Sequence, residues 1–259
     1  MKRIVIKVGS STITHESGLL NLRKIEELTK IISDLSNKGL EIILVSSGAV
    51  AAGMGRMNLQ MVPSTLCDKQ AMASIGQCEL MYIYDKFFSQ FGKVVAQMLM
   101  TKKVLLDDTL RYNATRTLET LLSYQAIAII NENDSVATEE LVYGDNDTLS
   151  AITAQLIQAN MLIVLSDIDG LYDKNPSKYK DAKRISIVEK ITSKIEAMAD
   201  DTSTKVGTGG MITKLAAAKI ATQAGCDMII CNGNDLNVIY DIIDGNYVGT
   251  LFRRREVYA

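Results

Sequence analysis

The sequence predicts a three-layer α/β/α sandwich around a mostly parallel sheet. Two observations carry this expectation. Ile42-Ile43-Leu44-Val45, Ile127-Ala128-Ile129-Ile130 and Leu162-Ile163-Val164-Leu165 are apolar at every position, so both faces of these strands must be covered. Between such runs lie longer stretches with apolar residues at helical spacing, which supply the cover. With only two prolines, no proline-rich linker, internal repeat or low-complexity tract divides the chain. One domain spanning 1–259 is the economical count.

Taken in order, residues 4–8 predict a strand, and 21–37 an amphipathic helix with Ile25, Leu28, Ile31, Ile32 and Leu35 on one face. Lys38-Gly39 ends that helix, and 41–45 is the next buried strand. Residues 64–91 are mostly helical, with a break expected near Gly76. A strand at 94–98, a helix at 109–124 and a strand at 126–130 follow. The remainder predicts a helix at 147–158, a strand at 161–165, a helix at 210–224, a strand at 227–231, a helix at 236–243 and a last strand at 248–252.

Composition narrows the function. Lys+Arg number 28 against 30 Asp+Glu, a net charge of -2, whereas proteins that neutralise a phosphate backbone carry a basic excess. Nucleic acid is not the expected partner. Cys67, Cys78, Cys226 and Cys231 form no CxxC, and the single histidine, His15, stands apart from them, which excludes the usual zinc spacings and leaves no metal site to name. Reduced thiols in a cytosolic enzyme fit better than disulfides. The chain opens on Lys2-Arg3-Ile4-Val5-Ile6-Lys7 without a signal-peptide pattern, and no apolar run has the length of a bilayer span. A cytoplasmic protein without a membrane partner is expected.

In an open parallel sheet, ligands bind beyond the carboxyl ends of the strands. Those ends read Lys7-Val8-Gly9-Ser10-Ser11, Ser46-Ser47-Gly48-Ala49, Asn131-Glu132-Asn133-Asp134 and Ser166-Asp167. Small, polar and charged residues thus converge on one edge. Gly9-Ser10-Ser11 and Gly207-Thr208-Gly209-Gly210 precede helical stretches, where glycine amides and a helix N-terminus can meet a phosphate; taken singly, such clusters are more often plain turns. No Walker A loop and no dinucleotide fingerprint is present. Lys7 sits in an apolar strand, where a lysine is costly unless it meets an anion. Lys214 lies near the start of a helix, the end a cation avoids. Together they suggest a two-lysine phosphate clamp. Gly144-Asp145-Asn146-Asp147-Thr148 caps a helix, but carries more polar groups than one cap needs.

These residues resemble a known family. Lys7-Val8-Gly9-Ser10-Ser11, Ser46 to Gly53, Lys69-Gln70 with Gly76-Gln77, the run 130–138, Gly144-Asp145-Asn146-Asp147, the run 207–214 and Val248-Gly249-Thr250-Leu251-Phe252 are similar to the glutamate 5-kinases, in order, over nearly the whole chain. The resemblance implies an amino-acid kinase fold and ATP-dependent phosphorylation of the L-glutamate γ-carboxylate, the first step of proline biosynthesis. It implies Lys7, Lys214 and Asp147 as the catalytic group, Asp147 holding the two lysines. Ser47, Asp134 and Asn146 look like glutamate-site residues. Lys7, Gly9, Ser166, Asp167, Thr208, Gly209, Gly210, Met211, Ile212, Thr213 and Lys214 match nucleotide-binding positions. ATP with Mg²⁺, proline as feedback inhibitor and a homo-oligomer (dimer or tetramer) follow as expectations.

Two departures accompany the resemblance. Many relatives carry a C-terminal PUA domain, which is not expected here because the chain stops at Ala259 soon after the match; Arg253-Arg254-Arg255 then reads as a solvated end. Where some relatives have a lysine before the GDND turn, this chain has Leu141-Val142-Tyr143. Kinases for acetylglutamate, aspartate, carbamate or uridylate share the lysines and glycine turns and are the nearest rivals; a non-catalytic amino-acid sensor and an RNA-associated protein are the others.

Overall fold

The computed structural model describes residues 2–255 except Glu16, Gln60, Val62, 137–145 and 203–209. Among the described residues, eight strands join in one sheet: β1 (Arg3–Val8), β2 (Glu41–Ser46), β3 (Val95–Met100), β4 (Ile127–Glu132), β5 (Met161–Ser166), β6 (Ile187–Val188), β7 (Asp227–Asn232) and β8 (Thr250–Phe252). Their order is β3-β4-β2-β1-β5-β7-β8-β6. Every neighbouring pair is parallel except β7–β8, which is antiparallel. The helices are α1 (Ser10–Ile13), α2 (Leu22–Asn37), α3 (Ala49–Arg56), α4 (Leu66–Gln90), α5 (Asp108–Ser123), α6 (Asn146–Leu156), α7 (Ser193–Thr202), α8 (Met211–Gln223) and α9 (Val238–Ile243). The predicted three-layer sandwich is the one observed.

The unbroken apolar strands explain themselves in the two cores. In β1, Ile4, Ile6 and Val8 pack with α2, α4 and α9 residues such as Leu28, Phe88 and Ile239, while Val5 joins the opposite core with Leu118, Ile152 and Leu215. Because side chains alternate along a strand, Lys7 shares the Val5 face and points toward α6 and α8. Its neighbours in register are Val45 of β2 and Val164 of β5, so the lysine stands in the centre of the sheet.

Several helix starts follow from local chemistry. The Asn21 side chain accepts from the Lys24 N–H, that of Thr65 from the Asp68 N–H, and that of Asp107 from the N–H groups of Thr109 and Leu110, each satisfying donors that a helix start leaves open. Three short elements had no strong sequence signal: α3, α7 and β6. At the amino end of the sheet, Arg3 donates to both Glu119 oxygens at 2.6 and 2.8 Å and to the Ile157 carbonyl at 2.9 Å, and also pairs with Glu41. One guanidinium thus ties β1 to β2, α5 and the exit of α6.

The break expected near Gly76 is not present: α4 runs continuously through it. Glycine is needed there for another reason. A Cβ on Gly76 would lie 1.8 Å from the Ala49 carbonyl oxygen and 2.3 Å from the Gly53 nitrogen, and a Cβ on Gly53 would lie 1.9 Å from the Met72 carbonyl oxygen. α3 and α4 therefore cross backbone against backbone. The residue kept small for this crossing reads, in the sequence alone, as a helix breaker. Gly76→Ala is expected to lower stability by at least about 3 kcal/mol, the upper range for overpacking, measured as a shift of the urea midpoint.

Candidate active site

The carboxyl ends of β1, β2, β4 and β5 gather at one edge, and α6 brings its first turn to the same place. Asp147, in that first turn, is 1% exposed, with Lys7 and Lys214 at 7% and 4%. Lys7 Nζ lies 2.7 Å from Asp147 Oδ1, and Lys214 Nζ lies 3.0 Å from Asp147 Oδ2. Thr213 Oγ1 shares its one proton between Oδ2 at 3.1 Å and the Gly210 carbonyl at 2.8 Å. Two cations thus meet on this one carboxylate.

Burial opposes the Asp147 charge, but the Lys7 and Lys214 ammonium groups overcome it and hold the carboxyl at about 2, below its ordinary 3.8. α8 adds to the field. It starts at Met211 after the extended Gly210, no side chain caps its first N–H groups, and Lys214 sits in its first turn. A helix N-terminus and two ammonium groups together make an anion site suited to phosphate.

Beside the ionic cluster lies a chain of amides. The two N–H groups of Asn146 Nδ2 are shared among three acceptors, the Ser46 carbonyl at 3.0 Å, Ser47 Oγ at 2.8 Å and Asn131 Oδ1 at 3.0 Å. Asn131 Oδ1 also accepts from the Glu132 N–H at 2.9 Å, and Asn131 Nδ2 donates to Gln77 Oε1 at 2.9 Å. Tyr84 OH and Ser46 Oγ meet at 2.9 Å, and Ser46 Oγ donates to the Ser47 carbonyl at 3.1 Å, so Tyr84 is the donor of its pair. Burial pushes the Tyr84 hydroxyl well above its ordinary range, and it stays a neutral donor. The turn after β2 is completed by Gly48, whose φ of 96° is the left-handed conformation that favours glycine.

Among the predicted residues, the structure brings Lys7, Asp147, Lys214 and Thr213 into one ionic cluster, with Gly9 against it: a Cβ there would lie 3.6 Å from Lys7 Nζ. Ser47 and Asn146 touch each other, and Asp134 lies half-buried in the turn after β4, next to Ser135, whose Oγ meets Ser74 Oγ of α4 at 2.8 Å. Ser166 is buried with Oγ donating to Asp167 Oδ1 at 3.0 Å, and Asp167 is exposed at the end of β5. Met211 is buried in the core, whereas Ile212 is half-exposed. Thr208, Gly209 and the Gly144-Asp145 pair lie outside the described residues. Asn131 and Gln77, read before only as parts of motifs, prove to be buried members of the site; a polar side chain two turns before Tyr84 on α4 carried no local sign of that.

The amino acid kinase family matches residues 2–232. The chain is 48% identical to the glutamate 5-kinase of Clostridium perfringens, covering 97% of this chain and 95% of that protein. It is 50% identical to the glutamate 5-kinase of Listeria innocua, covering 98% and 94%, and 51% identical to that of Caldanaerobacter subterraneus, covering 96% and 67%. The crystal structure of UMP kinase from Ureaplasma parvum superposes with a TM-score of 0.65 at 17% identity over 97% of this chain and 98% of that one, a likeness of fold.

The depressed Asp147 carboxyl has a pH signature. Its stabilising contribution is complete above the unfolded value near 4 and is lost as pH falls toward about 2. The difference in urea stability between the parent and Asp147→Asn should therefore shrink by on the order of 2 kcal/mol between pH 5 and pH 2. A difference that stays constant across that window would show that the carboxylate is not held by the lysines.

Proposed function

We propose that Lys7, Lys214 and Asp147 form the phosphoryl-transfer centre of an ATP-dependent glutamate kinase, and the premise is that the chain belongs to the amino acid kinase family and, within it, to the glutamate 5-kinases. The enzyme transfers the γ-phosphoryl group of ATP to the side-chain carboxylate of L-glutamate, giving ADP and γ-glutamyl phosphate, the first step of proline biosynthesis. The observation that carries the assignment of residues is the buried pair of lysines on one carboxylate.

A glutamate side chain is ionised at neutral pH, its pKa being about 4.3, so no general base is needed to make the nucleophile. A γ-carboxylate oxygen attacks the γ-phosphorus, and the bond to the β,γ-bridging oxygen breaks with its electron pair leaving on ADP. The protein's task is alignment and charge stabilisation. Lys7 and Lys214 face the transferring oxygens, the N-terminus of α8 adds its dipole, and Asp147 holds both lysines without touching the substrate. Ser47, Asn146 and Asp134 hold glutamate beyond the ends of β2 and β4, and Gly9, Ser166, Asp167 and the run 208–214 surround the nucleotide.

Mg²⁺ enters with ATP in this proposal. Among the described residues, no three His, Cys, Asp or Glu side chains gather to hold a metal, and the exposed Asp167 carboxylate suits an ion shared between phosphates and few protein oxygens. Asp167 would offer Mg²⁺ an oxygen ligand, and the ion would offset charge on the phosphates. Proline, the end product, carries the same α-carboxylate and ammonium as glutamate and is proposed as an inhibitor competing near Asn146 and Asp134. A homo-oligomer is supported by the exposed Val94, Leu99, Leu106 and Leu110 around the edge strand β3. No helix of the described residues is long and apolar enough to cross a membrane, which is compatible with the proposed cytoplasmic location.

Glutamate-dependent ADP release, with hydroxylamine present to trap the acyl phosphate as a hydroxamate, tests the activity; acetylglutamate, aspartate, carbamate and uridylate serve as competing acceptors. Lys7→Ala and Lys214→Ala should each lower kcat by about 10²-fold or more, and near-native turnover in both would overturn the clamp. Asp134→Ala should chiefly raise the KM for glutamate; a raised KM for ATP alone would move Asp134 to the nucleotide side.

A further inference from the structure

We infer that Gln77 is a positioning residue for substrate binding: it receives the Asn131 amide whose direction the backbone sets, and so steadies the chain through which Asn146 presents an acceptor to the amino group of the substrate. This role rests on the proposal that Asn146 holds glutamate.

An amide side chain has a donor end and an acceptor end, and only its partners distinguish them. Here two backbone groups decide. The Ser46 carbonyl can only accept, so the end of Asn146 that faces it is Nδ2. The Glu132 N–H can only donate, so the end of Asn131 that faces it is Oδ1, which also receives Asn146 Nδ2. Asn131 Nδ2 then points the other way and requires an acceptor, which Gln77 Oε1 supplies at 2.9 Å. The chain is polarised from end to end.

Two atoms are left over by that polarisation. Asn146 Oδ1 and Gln77 Nε2 are buried without a hydrogen-bond partner, in residues 8% and 9% exposed. Orphaned polar atoms of this kind are costly in a folded interior. Asn146 Oδ1, an acceptor beside Ser47 at the ligand edge of the sheet, fits the α-ammonium of a free amino acid and offers nothing to a second carboxylate. An N-acylated acceptor brings only a neutral amide N–H to that place. The polarised chain thus favours substrates with a free α-amino group.

α4 is built to hold Gln77 in place. Gly76, the preceding residue, lets α4 touch the α3 backbone, and Tyr84, seven residues on, anchors the same helix to Ser46 at the end of β2. Gln77 and Tyr84 lie two turns apart on one face, each on a different strand end. Without Oε1, Asn131 Nδ2 would be buried unpaired, and the Asn131 amide would be held by its Oδ1 contacts alone.

The test is steady-state kinetics of Gln77→Met, which removes the acceptor at similar length, and of Gln77→Glu, which keeps an acceptor for Asn131. Gln77→Met should raise the glutamate KM about tenfold with kcat and the ATP KM within about twofold, while Gln77→Glu should stay within about threefold of the parent. In an Asn146→Ala background, Gln77→Met should add less than about twofold, because the two act as one unit. An unchanged glutamate KM, a fall confined to kcat, additive effects in the double variant, or joint loss of affinity for both substrates would each overturn the assignment. Absence of glutamate turnover in the unsubstituted protein would instead overturn the glutamate assignment itself.

Discussion

The carboxylate of Asp147 between two buried ammonium groups sets the terms for everything around it. It is almost fully enclosed, and neither lysine beside it has water to fall back on. Burying three charges is costly, and the arrangement persists because both ammonium groups face the one carboxylate, which Thr213 Oγ1 also reaches. Strand β1 supplies one lysine, α8 the other, and α6 the acid between them. Three elements distant in sequence are therefore locked together at the carboxyl edge of the sheet, where the proposed function places the phosphates.

The second constraint is steric. α3 follows β2 through a left-handed glycine and lies against α4 with no side chain between the backbones. That contact gives α4 a defined height above the sheet edge. Gln77 and Tyr84 then reach down to strand ends that belong to neighbouring strands of the sheet, β4 and β2. Charge organisation on one side and amide organisation on the other meet at adjacent residues, Asn146 and Asp147, so the first turn of α6 serves both. A small displacement of α6 would disturb the phosphate side and the amino-acid side together.

Much of this was legible in the sequence because it obeyed local rules or broke them visibly. Unbroken apolar strands meant two covered faces, and the two cores divide β1 residue by residue as expected. Lys7 and Lys214 stood out because each opposes its local preference, one in an apolar strand and one at the wrong end of a helix. Other features had no local signature. Gly76 looks like a helix breaker until the neighbouring backbone is in view. Ala49–Arg56 contains Gly53 and Gly55, which count against a helix, yet packing on α4 keeps it helical. The antiparallel β8 and the two-residue β6 depend on pairing far along the chain, and Gln77 is one more polar helix residue until Asn131 meets it.

The reversal at β8 has a consequence for architecture. Phe252 pairs with Met228 at the start of β7, the Arg254 N–H donates to Asp227 at 2.7 Å, and the Arg255 N–H donates to the Thr222 carbonyl at 3.0 Å. The last described residues therefore lie at the amino edge of the sheet, the edge Arg3 clamps, remote from the lysines. Had β8 run with its neighbour β7, the polypeptide would have left beside the substrates. As it stands, the described chain reaches Arg255 at the back of the molecule, on the side of the sheet edge away from the lysines.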